Sequence, residues 1–311
     1  MVLLVGGTGR LGGRVGRRLL AEGRRVRVLT RSPATAEDLA RLGAEVVAGD
    51  LRDRGSLERA VRGVARVVVT AHDERARGHA GWARQAAGHH HLIEAAAAER
   101  IEHLVFVSCR GVGPEHPLPA FRLKHAVEVR VRGSGLGHAI VRPTAFMEPW
   151  AAWIGRPILH GQVVTIPGLG DQPINLIALD DVAHYVLLAL DHPEARDRTL
   201  EVGGPENLTL NQVADAFERQ AGIEARRRYL PLRLLRTAGA CALPFAPGLG
   251  RALATAAYRC SSDQTFDAAP LLAAFPRRLT RLADVARRAT HALRGRPVVG
   301  SPGAMADGTD R

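Results

Sequence analysis

The chain has 311 residues, of which 46% are hydrophobic, 24% charged and 4% aromatic. That length allows one large domain or two modest ones, and the charged fraction excludes wholesale disorder. No apolar run approaches the roughly 18 residues of a membrane-crossing helix, and Val2–Val5 stops at Gly6, too short for a signal-peptide core. The three cysteines, Cys109, Cys241 and Cys260, are widely spaced and form no CxxC pair. A disulfide scaffold or zinc ribbon is therefore not expected, and the expected location is the cytoplasm.

Lys and Arg together number 43 against 31 Asp and Glu, a net charge of +12, and Lys124 is the single lysine. So much arginine reads as a compositional bias, which makes the surviving lysine informative, because only lysine deprotonates readily. The charge is uneven. Residues 151–218 hold 3 arginines and 10 acids, whereas residues 219–296 hold 15 arginines and 4 acids. A basic segment of this kind suits a peripheral membrane surface or an acidic protein partner; it equally suits neutralisation of the acidic stretch within one fold. With few aromatic residues and no recognition motif, no nucleic-acid partner is expected.

In chain order, apolar β-branched runs stand at Val2–Val5, Val26–Leu29, Val46–Ala48, Val67–Val69, Leu104–Val107 and Ala139–Val141. Helical spacing fills the intervals at Leu11–Ala21, Ala36–Leu42, Ser56–Val61, Ala83–Ala98 and Phe121–Val131. Continuous apolar strands alternating with helices predict an α/β fold, a doubly wound parallel sheet of the Rossmann type. After Arg142-Pro143 the rhythm changes, with frequent Pro and Gly and short strand signals. Helices are predicted at Asp180–Leu190 and, behind a Thr209 N-cap, at Leu210–Gln220. Residues 229–258 are apolar but broken by Pro231, Pro244 and Pro247, which reads as packed helices, a surface-seeking amphipathic segment or a substrate lid. The expected organisation is a dinucleotide-binding domain over 1–142 and a smaller, partly helical substrate or partner lobe over 143–295. Residues 174–204 could contribute to the first sheet, and 296–311 should form a flexible tail.

The first strand runs directly into Gly6-Gly7-Thr8-Gly9-Arg10-Leu11-Gly12 and then a helix. Gly6 permits a tight turn, Gly9 close approach of a pyrophosphate to the backbone, and Gly12 close helix–strand packing. The helix N-terminus offers N–H groups and a positive dipole end to phosphates. At the end of the second strand an acidic residue would accept bonds from an NAD ribose. Here the chain reads Thr30-Arg31-Ser32, so Arg31, with Arg10 in the loop, is expected to favour NADP(H) over NAD(H) through a charge-assisted bond to the 2′-phosphate. Asp50-Leu51, after the third strand, suits either the edge of the adenine pocket or a turn and helix cap.

These motifs resemble the NmrA-like atypical short-chain dehydrogenase/reductase family. The matching stretches are GGTGRLGG, VLTRSP, VVAGDLRD, HLVFVSC, FRLKHAVE, AIVRPTAFME, INLIALDDVAHYV and LEVGGPENLTLNQVADAF, with a weaker echo to about residue 286. The resemblance implies a cleft between Rossmann half and small lobe. It places Lys124 on the nicotinamide-ribose hydroxyls, Ser108 at the family's serine position, Pro143 and Thr144 over the nicotinamide, and Phe146 and Met147 on the substrate wall. The usual partner of the lysine is a tyrosine four residues earlier; here that residue is Ala120, and none of the three tyrosines lies near it in sequence. The run His89-His90-His91 cannot ligate one ion from a single helix, because successive side chains diverge by about 100°. No metal is expected, although His91 could face the cofactor. The expected activity, if the chain is catalytic, is NADPH-dependent reduction of a small carbonyl or related substrate. The alternative is a non-catalytic NADP(H) sensor or an accessory nucleotide-binding subunit of a membrane-associated complex.

Overall fold

The computed structural model describes residues 1–71 and 78–294; the expected tail at 296–311 lies outside them. Each apolar run forms a strand: β1 (Val2–Val5), β2 (Val26–Thr30), β3 (Glu45–Ala48), β4 (Arg66–Val69), β5 (His103–Val107) and β6 (His138–Pro143). They pair in parallel, in the order β6-β5-β4-β1-β2-β3, so the order reverses between β1 and β4. A seventh parallel strand, Arg198–Val202, adds beside β6 with Leu200 opposite Val141. Sequence periodicity had marked Pro143 as a boundary. The chain does leave the sheet there, but residues 179–202 return to it, because a helix is needed to cover the β5 and β6 face and a strand to close the β6 edge.

Helices α1 (Arg10–Ala21), α2 (Glu37–Arg41), α3 (Arg54–Val61), α4 (Gly78–Ala98) and α5 (Pro119–Arg132) link the strands. On α1 the spacing Leu11, Val15, Leu19 buries one apolar stripe while the arginines face outward. That stripe and the helix Leu179–Asp191 cover one face of the sheet; α3, α4 and α5 cover the other. β5, central to this arrangement, is buried along its whole length. This is a Rossmann-type α/β fold.

The small lobe has its own core. Ala145–Phe146, Ile174–Ile177 and Asn207–Leu208 form a three-stranded sheet, and Val164–Pro167 pairs with Arg227–Leu230. The helix Leu210–Ala221 starts with a full capping box: Thr209 Oγ1 accepts from the Gln212 N–H at 3.1 Å, and Gln212 Oε1 from the Thr209 N–H at 2.9 Å. Residues 229–258 fold largely as a helical hairpin, Leu232–Ala242 and Pro247–Arg259. The basic segment pairs in part with the acidic stretch: Arg227 with Asp215 and Glu218, Arg277 with Asp181. Arg226, Arg228, Arg233 and Arg236 make no ion pair among the described residues.

One buried ion pair ties α5 to the sheet. Glu128 has no exposed surface and accepts from Arg142 Nε (2.9 Å) and Nη2 (2.6 Å) on β6 and from Arg132 at 2.9 Å. Burial alone would push its carboxyl up, but the Arg142 and Arg132 hydrogen bonds hold it below the usual carboxylate range. Its stabilising contribution is therefore present above the unfolded carboxyl pKa and is lost as pH falls through the lower folded value. Glu128→Gln should cost about 3 kcal/mol, the lower end for breaking a buried ion pair, since it leaves the part-buried Arg142 only the more exposed Glu201, at 3.3 Å. Urea denaturation at pH 7 checks this, and the gap between variant and wild type should narrow in acid.

Candidate functional site

The carboxyl ends of the parallel strands share one edge of the sheet, and the loops leaving them carry the motif residues. Gly6 takes φ +94°, and a Cβ there would stand 2.6 Å from the Ala71 N. At Gly12 a Cβ would come within 2.1 Å of the Gly6 carbonyl oxygen and 2.7 Å of Thr70 Oγ1. The cradle thus admits no side chain at either position. Gly9 differs: its backbone is extended, and a Cβ would meet only the Gly6 oxygen, at 3.2 Å. Gly7 is buried against Val28 and Leu4, Leu11 anchors the first turn of α1, and Thr8, Gly9 and Arg10 are exposed. Thr70, which sequence inspection passed over, braces the loop from beneath by donating toward the Val5 and Gly6 carbonyls at 3.2 Å.

Arg31 is exposed just beyond β2, in a turn held by Thr30 Oγ1, which receives the Ser32 N–H at 3.2 Å. Asp50 lies beyond the neighbouring strand, close enough for the Arg31 charge to help hold its carboxyl below the usual range. The main cause is Arg52, whose guanidinium approaches within 2.6 Å and whose N–H donates to Asp50 Oδ1 at 2.9 Å. The Asp50 carboxylate is therefore engaged in its own turn, and Leu51 packs inward against Trp82, Ala86 and the sheet. Arg10 and Arg31 make no ion pair among the described residues.

At the ends of β5 and β6 the expectations divide. Lys124 Nζ donates to the Val107 carbonyl at 2.8 Å and toward that of Ser108 at 3.4 Å, and lies 5.5 Å from the Phe106 ring centroid. It is half-buried, and burial pulls its pKa below that of a solvated lysine. Ser108 is 3% exposed. Its hydroxyl lies on the Glu128 side, where it helps hold that carboxylate ionised, without forming a hydrogen bond of good geometry. It does not line the cavity described below. Pro143 is the last residue of β6, and Thr144 is buried, its Oγ1 donating to Asn175 Oδ1 at 2.8 Å. Asn175 also donates to the Gly204 carbonyl and accepts the Gly204 N–H, so the Thr144 hydroxyl is held by the lobe.

A cavity of about 1150 Å³ opens beside these strand ends. Its walls come from α4 (Trp82, Ala86), α5 (Ala120, Leu123), the segment after β6 (Phe146, Trp150, Trp153) and the helix Pro247–Arg259. All three tryptophans of the chain stand on it. Phe146 stands on the wall. Met147 does not: it is 1% exposed and packs in the lobe core. The strand Ala145–Phe146 gives way to a helix at Met147, which turns that side chain inward. Ala120, in the tyrosine position, simply widens the cavity, and none of the chain's tyrosines lines it. Tertiary packing does bring Tyr258 to α5, 6.0 Å from Phe121 between ring centroids. The histidine run diverges as expected: His89 is buried against Phe106, His90 pairs with Glu94, and His91 is half-buried. Among the described residues no three His, Cys, Asp or Glu side chains gather as a metal group would require.

A parallel sheet whose first strand turns on glycine into a helix, with a large apolar cavity at the same edge, defines a nucleotide-type α/β protein with room for a second ligand. The chain belongs to the NmrA-like family, whose model matches residues 1–273. It is 31% identical over 239 residues to a (4-alkanoyl-5-oxo-2,5-dihydrofuran-3-yl)methyl phosphate reductase of Streptomyces griseus, covering 76% of this chain and 80% of that one. It is 27% identical over 239 residues to the photosystem II assembly factor Ycf39 of Trieres chinensis, covering 76% and 73%. The fold matches the Citrobacter triphenylmethane reductase crystallised with NADP(H), with a TM-score of 0.79, at 17% identity over 93% of this chain and 99% of that one.

Lys124 is thus a structural tie between α5 and the end of β5 as well as a candidate ligand group. Lys124→Met should cost about 1–3 kcal/mol, the range for removing a partner from buried polar groups, against no more than about 0.5 kcal/mol for a solvated surface cation. Equilibrium urea unfolding distinguishes the two values.

Proposed function

We propose that the protein is an NADP(H)-dependent reductase acting on a bulky apolar carbonyl or related electrophile. The observation that carries this reading is the placement of the glycine cradle and the 1150 Å³ apolar cavity on one sheet edge. The cradle fits a dinucleotide: glycine at positions 6 and 12, where a Cβ would strike Ala71, Thr70 or the Gly6 carbonyl, lets α1 begin directly over β1, and the α1 N-terminus presents its N–H groups there. The loop from Gly6 to Gly12 would hold the pyrophosphate, Arg31 with Arg10 the 2′-phosphate, and Asp50-Leu51 would border the adenine. The Asp50 carboxylate, already neutralised by Arg52, offers little repulsion to that phosphate. Lys124 would hold the nicotinamide-ribose hydroxyls.

When bound, the nucleotide supplies the hydride; the protein's task is to hold the acceptor, exclude water and manage one proton. The indoles and Phe146 serve the first two. Without a tyrosine at position 120, the proton is assigned to Lys124 Nζ, whose pKa burial moves in the useful direction. The cavity exceeds what a small carbonyl needs, which favours a bulkier substrate.

A second reading, a non-catalytic NADP(H)-binding accessory protein at a membrane or acidic partner, is favoured by one further observation. The hairpin tip exposes Leu243, Phe245 (85%) and Leu249, and Arg233 and Arg236 on its first helix make no ion pair among the described residues. Among the described residues no helix is long and apolar enough to cross a membrane, so such an association would be peripheral. NADPH consumption over a carbonyl and quinone panel, alongside co-sedimentation with anionic vesicles, separates the two readings.

Arg31→Ala should remove an NADPH-over-NADH preference of about tenfold to a hundredfold, the size of one charge-assisted bond. Fluorescence titration of both cofactors measures it, and equal affinities in the unmodified protein would overturn the NADP(H) assignment. Gly9→Val should abolish nucleotide binding in a folded chain, because the added side chain projects into the approach path while touching little of the protein. Circular dichroism establishes the fold, and unchanged affinity would show that the loop is not the phosphate site.

A further inference from the structure

The cavity is apolar but not neutral. Arg122 from α5 and Arg251 and Arg259 from the helix Pro247–Arg259 stand on its wall, and no Asp or Glu does among the described residues. Arg251 lies over the Trp82 ring, 5.6 Å from its centroid, whereas Arg122 and Arg259 make no ion pair among the described residues. Arg122 spends its Nη1 on the carbonyls of His116 and Pro117, at 2.5 and 3.2 Å. Arg259 is half-buried, donates Nη1 to Gln264 Oε1 at 3.0 Å and lies 5.9 Å from the Phe121 ring centroid.

A guanidinium taken from water without a carboxylate is costly to hold, and burial pulls the Arg259 pKa down from its usual range, with only Cys109, Tyr258 and Cys260 and no carboxylate opposing it. Elsewhere this chain neutralises its partly buried arginines: Arg142 meets Glu128, Arg227 meets Glu218, Arg277 meets Asp181. Arg259 is the exception on the cavity wall. A neutral gap-filling role would be met by Leu or Met at far lower desolvation cost. Its remaining donors suit a planar or tetrahedral oxyanion, and the Trp150–Trp153 pair, stacked at 5.9 Å, suits the apolar body attached to it.

We propose that the cavity takes an anionic amphiphile, a molecule with a bulky apolar body and one carboxylate or phosphate monoester, whose anion is held by Arg259 with Arg122 beside it. This rests on the reading of the cavity as the substrate site and names the class of substrate it selects.

The three tryptophans make intrinsic fluorescence a direct report of occupancy, so the test needs neither nucleotide nor turnover. Dodecanoate, dodecyl phosphate and dodecanol are titrated, below their aggregation concentrations, into the nucleotide-free protein, its Arg259→Gln and Arg259→Lys variants. At least one anion should bind about tenfold or more tightly than the alcohol, the scale of a charge-assisted hydrogen bond. Which anion wins identifies the headgroup. Arg259→Gln should remove the preference and Arg259→Lys retain part of it. Equal binding of alcohol and anions to the unmodified protein overturns the proposal without requiring any variant to fold, as does a preference that survives Arg259→Gln. NADPH titration of the same samples is read separately: its failure would remove the nucleotide assignment while leaving the headgroup result to stand or fall alone.

Discussion

The rest of the site depends on how closely α1 can approach the end of β1. The Gly6 carbonyl sits where a Cβ on residue 12 would lie 2.1 Å away, and Thr70 closes the same space from β4. Only glycine at position 12 lets the helix begin directly over the strand. That approach places the unpaired N–H groups of the first turn at the carboxyl edge of the sheet, beside the loops carrying Arg31 and Asp50. It also packs the Leu11, Val15, Leu19 stripe against the sheet face shared with the helix Leu179–Asp191. Local backbone geometry, helix docking and the candidate phosphate cradle are consequences of one steric constraint.

The opposite half of the edge is organised by charge. Glu128 and Lys124 lie one helical turn apart on α5, and each is tied to the sheet by a different means. Glu128 is fixed by guanidinium groups, whereas Lys124 is fixed by the exposed carbonyls at the end of β5. Together they set the axial position of α5 and hence of Ala120 and Leu123 on the cavity wall. The compact ammonium of Lys124 sits between the Val107 carbonyl, at 2.8 Å, and the Phe106 ring, a geometry for a point charge and not for a planar fork.

Two different chemistries thus meet on one edge. On the β1–β3 side the exposed groups are backbone N–H and arginine, suited to phosphates. On the β5–β6 side they are indole, phenyl and methyl surfaces with the guanidinium groups of Arg122, Arg251 and Arg259. The order of strands reverses between these halves, and that crevice is where open α/β sheets receive ligands. The polar residues that hold the lobe in place, Asn175 and Thr144 above all, lie inside the protein and act by fixing Phe146 and the segment that follows it.

What the sequence by itself determined was everything governed by near neighbours along the chain. Six apolar runs became six strands, the glycine spacing became the turn it implied, and the Thr209 cap formed as a capping box, because β-pleat, helix periodicity and cap chemistry act over a few residues. The edge strand Arg198–Val202 needed a partner about 60 residues away, so its short apolar run carried no distinguishing signal. The side-chain directions of Ser108, Thr144 and Met147 were likewise invisible, since a buried hydroxyl or thioether is turned inward by what packs on it. Only the tertiary structure gathered Trp82, Trp150, Trp153 and Arg259, from segments far apart, onto one cavity. A single arginine among so many conveys nothing until the structure shows that no carboxylate of the described chain stands opposite it.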